Sequence, residues 1–208
     1  MRKGRRRAVS TASESILAAA HEAAADKDKL EKLFENLEGS SRRTRQLSAS
    51  VLAVIARENP ELVADRTNAF VDALNRPEAQ TRWECLDALT ELVAVDSRAC
   101  DKAIPGAETA LFDEESGPAR LAAMRFLCRL GSTTENRSEK VWPLIDEAIQ
   151  CYHGDFEFQD MLVAVTGFSE GKLADAVKAA LAERMAFDAS NGKGVLKRRA
   201  AQILENVK

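Results

Sequence analysis

An internal repeat of about 38 residues constrains this chain more than any other feature of its sequence. Four segments begin with a basic residue, namely 45–52, 82–89, 120–127 and 197–204. Each of them carries small or apolar residues at its fourth and fifth positions and an apolar residue at its eighth. A further segment, 158–165, fits this pattern less well. The five starts are separated by 37, 38, 38 and 39 residues. So steady a period predicts one structural unit stacked five times.

The repeated unit is a pair of helices joined by a tight turn. In each segment the fourth, fifth and eighth positions form one apolar stripe of a helix. A Gly or Pro turn signal precedes each segment, and another apolar stretch precedes each turn. These earlier stretches are 30–37, 62–74, 103–112, 141–149 and 173–187. Since aromatic residues make up only 5% of the chain, closely packed helices are favoured over strands, and the sequence predicts an all-α fold.

Two helix starts can be predicted from local signals. Thr11 with Glu14 matches a capping box, which places the first helix at Ala12. Residues 1–11 are then expected to be a disordered basic tail, and residues 12–208 a single repeat domain. Trp142 followed by Pro143 predicts a helix that begins at Trp142, with Pro143 at its first position and Trp142 in a structural role.

The repeat resembles the HEAT repeat family and the wider armadillo-like class. The resemblance rests on the period, the two-helix unit and the basic residue that opens the second helix, namely Arg45, Arg82, Arg120 and Lys197. It covers about 29–208, although Phe158 departs from it and the turn Asp common in HEAT repeats is absent at its usual spacing. The resemblance implies a right-handed α-α superhelix of about five helix pairs, with the second helices on the concave side.

Helical geometry selects the residues that face this concave side. In the second repeat they are Glu84, Asp87 and Glu91, and in the third Ala122, Arg125 and Arg129. The equivalent positions elsewhere are Leu47, Ser50 and Val54, then Asp160, Val163 and Gly167, then Arg199, Gln202 and Asn206. A surface of such mixed charge favours a protein or peptide partner, because a nucleic-acid channel should be positive throughout.

The candidate partner-binding residues are therefore Trp83, Glu84, Asp87, Glu91, Arg125 and Arg129. Trp83 is included because Trp is enriched at interaction hot spots. Two alternatives remain open: the three carboxylates pair with the two arginines across neighbouring helices, and the Trp83 ring packs between repeats. The basic residues that open the second helices point toward the core, which favours packing and capping roles for them.

The charge of the chain is unevenly distributed. Residues 1–7 hold five basic residues and no acidic one, which leaves a net charge of −8 for the remainder. This tail has three interpretations: nucleic-acid binding through Arg2, Lys3, Arg5, Arg6 and Arg7, attraction to an anionic membrane surface, or no role. It supports an alternative function, nucleic-acid binding similar to that of HEAT-like DNA glycosylases, although their motif residues cannot be aligned here.

The sequence contains no recognised catalytic motif, and it favours a non-enzymatic scaffold over an enzyme. The cluster 151–155 holds Cys151, His153 and Asp155 but matches no metal-ligand spacing, so no metal, cofactor or catalytic residue is predicted. The cysteines form no Cys-x-x-Cys pair and are expected to be reduced. No signal peptide and no apolar run of about 20 residues is present, so the cytoplasm is the expected location.

Overall fold

A computed structural model describes the backbone of residues 2–208 and the side chains of residues 13–208. Within this part of the chain there are α-helices and short 3-10 turns, and no strand. The helices are α1 (Arg2–Ala24), α2 (Lys27–Glu38), α3 (Arg42–Glu58), α4 (Thr67–Ala73), α5 (Ala79–Cys100), α6 (Ile104–Leu111), α7 (Gly117–Gly131), α8 (Glu135–Cys151), α9 (Phe158–Ser169), α10 (Asp175–Asn191) and α11 (Gly194–Asn206). The predicted all-α fold class is confirmed.

The predicted helix pairs are also confirmed. The five segments that begin at 45, 82, 120, 158 and 197 lie in α3, α5, α7, α9 and α11, which we call the second helices. The earlier apolar stretches lie in or directly before α2, α4, α6, α8 and α10, the first helices. The second repeat differs most from the expectation, because two 3-10 turns, Pro60–Leu62 and Ala64–Arg66, occupy the region before α4.

The chain forms two compact units, residues 1–99 and 100–208. The boundary follows a break in α5 at Asp96, which has φ −143° and ψ 83°. The Asp96 carboxylate accepts hydrogen bonds from the backbone N–H groups of Arg98 and Ala99, both at 3.0 Å. Asp96 therefore starts a new helical turn as an N-cap residue does. The single domain over residues 12–208 stays a prediction.

In the first unit, α1 packs against α2 and α3. This helix starts at Arg2, so the start predicted at Ala12 is wrong, and Thr11 lies inside the helix rather than at its N-cap. Residues 2–10 contain no proline and are rich in Arg, which is compatible with a helix. The side chains of residues 1–12 lie outside the described part of the chain, and the disordered tail over residues 1–11 stays a prediction.

In the second unit, α7 lies against α6, α8 and α9. Helix α8 begins at Glu135, and Thr134 caps it by accepting a hydrogen bond from the Arg137 N–H at 3.3 Å. Pro143 therefore lies inside α8, and the prediction that it occupies the first helical position is wrong. The Trp142 ring stacks on Phe168 at a centroid distance of 6.5 Å, which agrees with the structural role expected for Trp142.

Polar contacts about one repeat apart connect successive helix pairs within each unit. Buried Arg45 pairs with Glu78 in the first unit, and Arg120 pairs with Glu157 in the second. The remaining long side-chain pairs of this kind are Arg66 with Glu31, Arg137 with Asp101, and Arg184 with Asp146. We call these five pairs the inter-repeat ladder. It uses Arg–carboxylate pairs, whose planar, charge-assisted hydrogen bonds fix the stacking of adjacent helix pairs within each unit.

Candidate functional site

The basic residues that open the second helices are capping residues, as predicted. Arg45 donates to the Gly39 carbonyl at 2.8 Å, and Arg82 donates to the carbonyls of Arg76 and Pro77 at 3.0 and 2.9 Å. Arg120 makes equivalent bonds to the carbonyls of Asp113 and Glu114 before α7, and exposed Lys197 donates to the Ser190 carbonyl in the last turn of α10. These side chains thus bind backbone carbonyls at or next to the junction between paired helices.

An open groove runs between α1, α3 and α5 of the first unit. It has a volume of about 480 Å³ and is lined by Ser13, Ile16, Leu17, Ser50, Val54, Arg57, Glu58 and Glu84. Three of these, Ser50, Val54 and Glu84, are positions that the sequence places on the concave side. The outer surface of α3 and α5, to which they belong, is called here the second-helix face of the first unit.

Carboxylates dominate the charge of this face. Half-buried Glu84 accepts a hydrogen bond from the Ser50 hydroxyl at 2.8 Å, which fixes one carboxylate oxygen at the groove wall. Glu58, which also lines the groove, lies 3.0 Å from the His21 Nε2 atom. Asp87 and Glu91 continue the acidic row along α5, one and two helical turns beyond Glu84. Such a row attracts cationic groups.

The predicted partner-binding residues fall into both units. Trp83, Glu84, Asp87 and Glu91 lie on α5, where Trp83 is half-buried and Glu91 is exposed. The other two, Arg125 and Arg129, lie exposed on α7 and make no ion pair with a described residue of the second unit. Of these six residues, Glu84 lines the groove of the first unit. The role of the set in partner binding stays a prediction.

A second open groove lies between α9 and α11 of the second unit. It has a volume of about 440 Å³ and is lined by Val163, Thr166, Gly167, Glu170, Arg198, Arg199 and Gln202. Four of these were placed on the concave side from the sequence, namely Val163, Gly167, Arg199 and Gln202. At the third repeat the expectation needs one correction, because Ala122 is buried in the core between α7 and its neighbours.

Hydrogen bonds hold the polar wall of the second groove in place. Gln202 donates to the Asn206 side-chain oxygen at 2.8 Å, and Asn206 donates to the Ser169 hydroxyl at 2.8 Å. Arg199 donates to the Gln159 side-chain oxygen at 3.0 Å and also to the Gln159 carbonyl. Arg198, which is exposed, makes no ion pair with a described residue.

Sequence reasoning missed the contribution of α1 to the first groove. Ser13, Ile16 and Leu17 line it, although α1 was expected to lie outside the repeats. A signal was available, because segment 13–18 (Ser-Glu-Ser-Ile-Leu-Ala) resembles segment 48–53 (Ser-Ala-Ser-Val-Leu-Ala), 35 residues later. This spacing is close to the repeat period, so α1 acts as the second helix of an additional half-repeat.

The cluster at 151–155 is part of a structural turn. His153 Nε2 lies 3.2 and 3.1 Å from the two carboxylate oxygens of Asp188, which is buried. No group of three or more His, Cys, Asp or Glu side chains that could hold a metal ion occurs in the described part of the chain. Among the cysteines, Cys151 is exposed and the other three are buried. Burial raises the pKa of the Cys85 and Cys128 thiols well above its usual range.

Two further expectations concern the membrane and the basic tail. None of the described helices combines the length and apolar character that a membrane span requires. The side chains of Arg2, Lys3, Arg5, Arg6 and Arg7 lie outside the described residues, so the structure gives no contact for them. Nucleic-acid binding through these residues therefore remains a sequence-based prediction without structural support.

Comparison with known proteins identifies the fold. No protein-family model and no curated protein matches the chain. Among solved structures, an engineered protein matches with a TM-score of 0.73 at 15% identity, over 93% of this chain and 89% of its own. A designed armadillo repeat protein in complex with the peptide (KR)4 matches with a TM-score of 0.71 at 15% identity, over 94% and 92%.

A natural protein of this class also matches. An archaeal HEAT-like repeats protein from Thermococcus onnurineus NA1 has a TM-score of 0.58 at 16% identity, and the match covers 92% of each chain. The chain has a HEAT/armadillo-like helical repeat fold. Because identities of 15–16% show the fold alone, function has to be argued from the two second-helix faces.

Proposed function

We propose that this protein is a non-enzymatic interaction module that binds an extended peptide segment of another protein on its second-helix faces. The observation that carries this proposal is the groove of the first unit, in which two carboxylates, Glu58 and Glu84, flank an apolar strip. The strip contains Ile16, Leu17 and Val54, and Leu17 is 41% exposed. An open groove of this composition suits an extended segment with alternating apolar and charged side chains better than an enclosed small molecule.

The charge of the first unit selects cationic side chains in the partner. Arg57 is the cationic residue in the lining of the groove, whereas Glu58 and Glu84 are carboxylates of the lining, and Asp87 and Glu91 follow Glu84 along α5. Because Ser50 holds Glu84 in place, its carboxylate meets a ligand with little loss of conformational entropy. The designed armadillo repeat protein that shares this fold is in complex with the peptide (KR)4, which supports a peptide as the kind of partner.

Fluorescence anisotropy with the full chain tests this proposal. The probe is a labelled eight-residue peptide in which Lys alternates with Leu and Ser. The triple variant Glu84→Gln, Asp87→Asn, Glu91→Gln is compared with the wild type. We expect roughly tenfold weaker binding by the variant, since three exposed or half-buried ion pairs contribute on the order of 0.5 kcal/mol each.

A control with the same change in charge guards against a long-range effect. The variant Glu38→Gln, Glu61→Gln, Asp72→Asn neutralises three exposed carboxylates of the same unit that lie outside the groove lining. We expect it to bind the probe within about twofold of the wild type, because these exposed carboxylates do not line the groove and salt screens the field of exposed charges. Equal losses in both variants, or no binding by the wild type, would contradict the proposal.

The proposed location is the cytoplasm. Three of the cysteines are buried and are not joined in disulfides, which is typical of proteins in a reducing compartment.

A further inference from the structure

The second unit contains two classes of arginine, which differ in whether another residue holds the guanidinium group. Three arginines form ion pairs of the inter-repeat ladder, namely Arg120, Arg137 and Arg184. Arg199 is held by the side-chain oxygen and the carbonyl of Gln159. The remaining three, Arg125, Arg129 and Arg198, are exposed and make no ion pair with a described residue of their unit.

The three exposed arginines, Arg125, Arg129 and Arg198, all project from second helices. Arg125 and Arg129 are one turn apart on α7, and Arg198 is on α11. Helix α9 packs against both α7 and α11, so it lies between them. The second-helix face of the second unit therefore has arginines at both sides and α9 in the middle. Since a guanidinium is always charged and fits a carboxylate with two parallel hydrogen bonds, each of these arginines can bind one carboxylate.

The middle of this face is apolar and recessed. Val163 is 51% exposed on α9. One turn later, Gly167 has no side chain, and a Cβ atom built there would meet no heavy atom within 4 Å. The groove beside these two residues is bounded by Gln202, whose amide is oriented by Asn206. An apolar side chain of a ligand can thus pack on Val163 while the flanking arginines bind charged groups.

We infer that the second-helix face of the second unit binds an acidic segment of a partner protein, with an apolar side chain over Val163 and carboxylates on Arg125, Arg129 and Arg198. This inference rests on the proposed function, and it gives the two units opposite preferences. A protein segment fits better than a nucleic acid because two carboxylates are exposed near Val163, Asp160 on the same helix and Glu170 at the C-cap of that helix. A continuous row of phosphates would meet these carboxylates, whereas a peptide can place neutral residues opposite them.

Binding of three labelled probes to the full chain tests the inference. The probes are an eight-residue peptide in which Glu alternates with Leu and Ser, the same peptide with Lys in place of Glu, and an eight-nucleotide oligo-dT. The variant Arg125→Ala, Arg129→Ala, Arg198→Ala is expected to bind the Glu peptide roughly tenfold more weakly than the wild type. It should bind the Lys peptide within about twofold of the wild type, because the inference places that peptide on the first unit.

The matched control removes three positive charges from elsewhere in the same unit. Lys140, Lys172 and Lys178 lie on or next to the first helices α8 and α10, and the variant with all three changed to Ala should keep its affinity for the Glu peptide within about twofold. Circular dichroism confirms that both triple variants are folded. The apolar contact has its own test: Val163→Asp should weaken binding of the Glu peptide by about tenfold, because it places a carboxylate in the groove.

The possible failures are distinguishable. No binding of the Glu peptide by the wild type, or equal binding by the arginine variant, overturns the inference but leaves the proposal for the first unit intact. Binding of oligo-dT that is tighter than that of the Glu peptide, and is lost in the arginine variant, shows that the face binds nucleic acid and also overturns it. If neither peptide binds, the proposed function fails together with the inference.

Discussion

The buried pair of Arg45 and Glu78 provides a quantitative test of how the repeats are held together. The two side chains are 8% and 4% exposed, and Arg45 also donates to the Gly39 carbonyl at 2.8 Å. Glu78→Leu leaves the Arg45 guanidinium buried without its counter-charge. Removing one partner of a buried ion pair typically costs about 3 kcal/mol or more of the free energy of unfolding. We expect a loss of about 3 kcal/mol for this variant, and a similar loss for Arg45→Met.

The double variant Arg45→Met, Glu78→Leu separates the interaction from the cost of burying either charge alone. Arg45 Nε and Glu78 Oε2 are buried and make no hydrogen bond with a described residue, so part of their lost hydration is not recovered. Two apolar side chains avoid this cost but lose the bond to Gly39. We expect the double variant to be about 3 kcal/mol less stable than the wild type, not about 6, which gives a coupling of about 3 kcal/mol.

Urea unfolding followed by circular dichroism measures these differences, with Glu31→Gln as the control. Glu31 pairs with Arg66 in the same unit, but its side chain is 53% exposed, so its loss should cost less than about 1 kcal/mol. Additive losses in the double variant would refute the reasoning, because they would show that the two side chains act independently. A loss below about 1 kcal/mol in either single variant would show that the pair is hydrated.

Three other predictions concern packing, pH and thiol chemistry. Gly131→Ala should lower the free energy of unfolding by about 1–3 kcal/mol, since the new Cβ atom would clash with a Val141 methyl group. Gly167→Ala should raise it by about 0.5–1 kcal/mol, since a Cβ atom there would meet no heavy atom within 4 Å and Ala favours a helix more than Gly does. Thermal melts measure both changes. Burial raises the pKa of Glu78, but the hydrogen bond and the charge of Arg45 outweigh this effect and hold the pKa below its ordinary value of about 4.5. The stability that results is present above about pH 4.5 and is lost as the pH falls further. This pH-dependent loss should be absent when the variant Glu78→Gln is titrated with acid. In the native protein, exposed Cys151 should react with an aromatic disulfide reagent. The buried thiols of Cys85, Cys100 and Cys128 should react only after unfolding, and the absorbance of the released thiolate measures both reactions.

The repeat could be predicted from the sequence because each helix pair carries its own apolar stripe and its own turn. The start of α8 could not be predicted in this way, since proline is common at the first position of helices but is also found inside them, as Pro143 is here. There it removes one hydrogen bond, while Thr134 provides a cap nine residues earlier. The early start of α1 was missed because the basic residues before Thr11 have no apolar periodicity, and periodicity was the signal used to locate helices.

The positions of groove residues could be predicted better than their interactions. Helical geometry placed Val163, Gly167 and Gln202 on one face, and they line one groove. An arginine of the second unit forms an ion pair only if a carboxylate lies about one repeat away in the sequence. Arg120 pairs with Glu157, 37 residues later, and Arg184 pairs with Asp146, 38 residues earlier. A single sequence shows the charges of these residues but not their pairing, so the two classes of arginine appear only in the structure.

The separation of these two classes has a consequence for how such a chain can change its partner. Residues of the inter-repeat ladder fix the stacking, whereas residues such as Arg125 and Glu91 on the second-helix faces make no ion pair with a described residue of their own unit. Substitutions on the faces should therefore alter binding with little effect on stability, whereas substitutions in the ladder should do the reverse. Opposite charge on the two units is thus compatible with one repeat fold, because each repeat is stabilised by its neighbours and not by its ligand-binding surface.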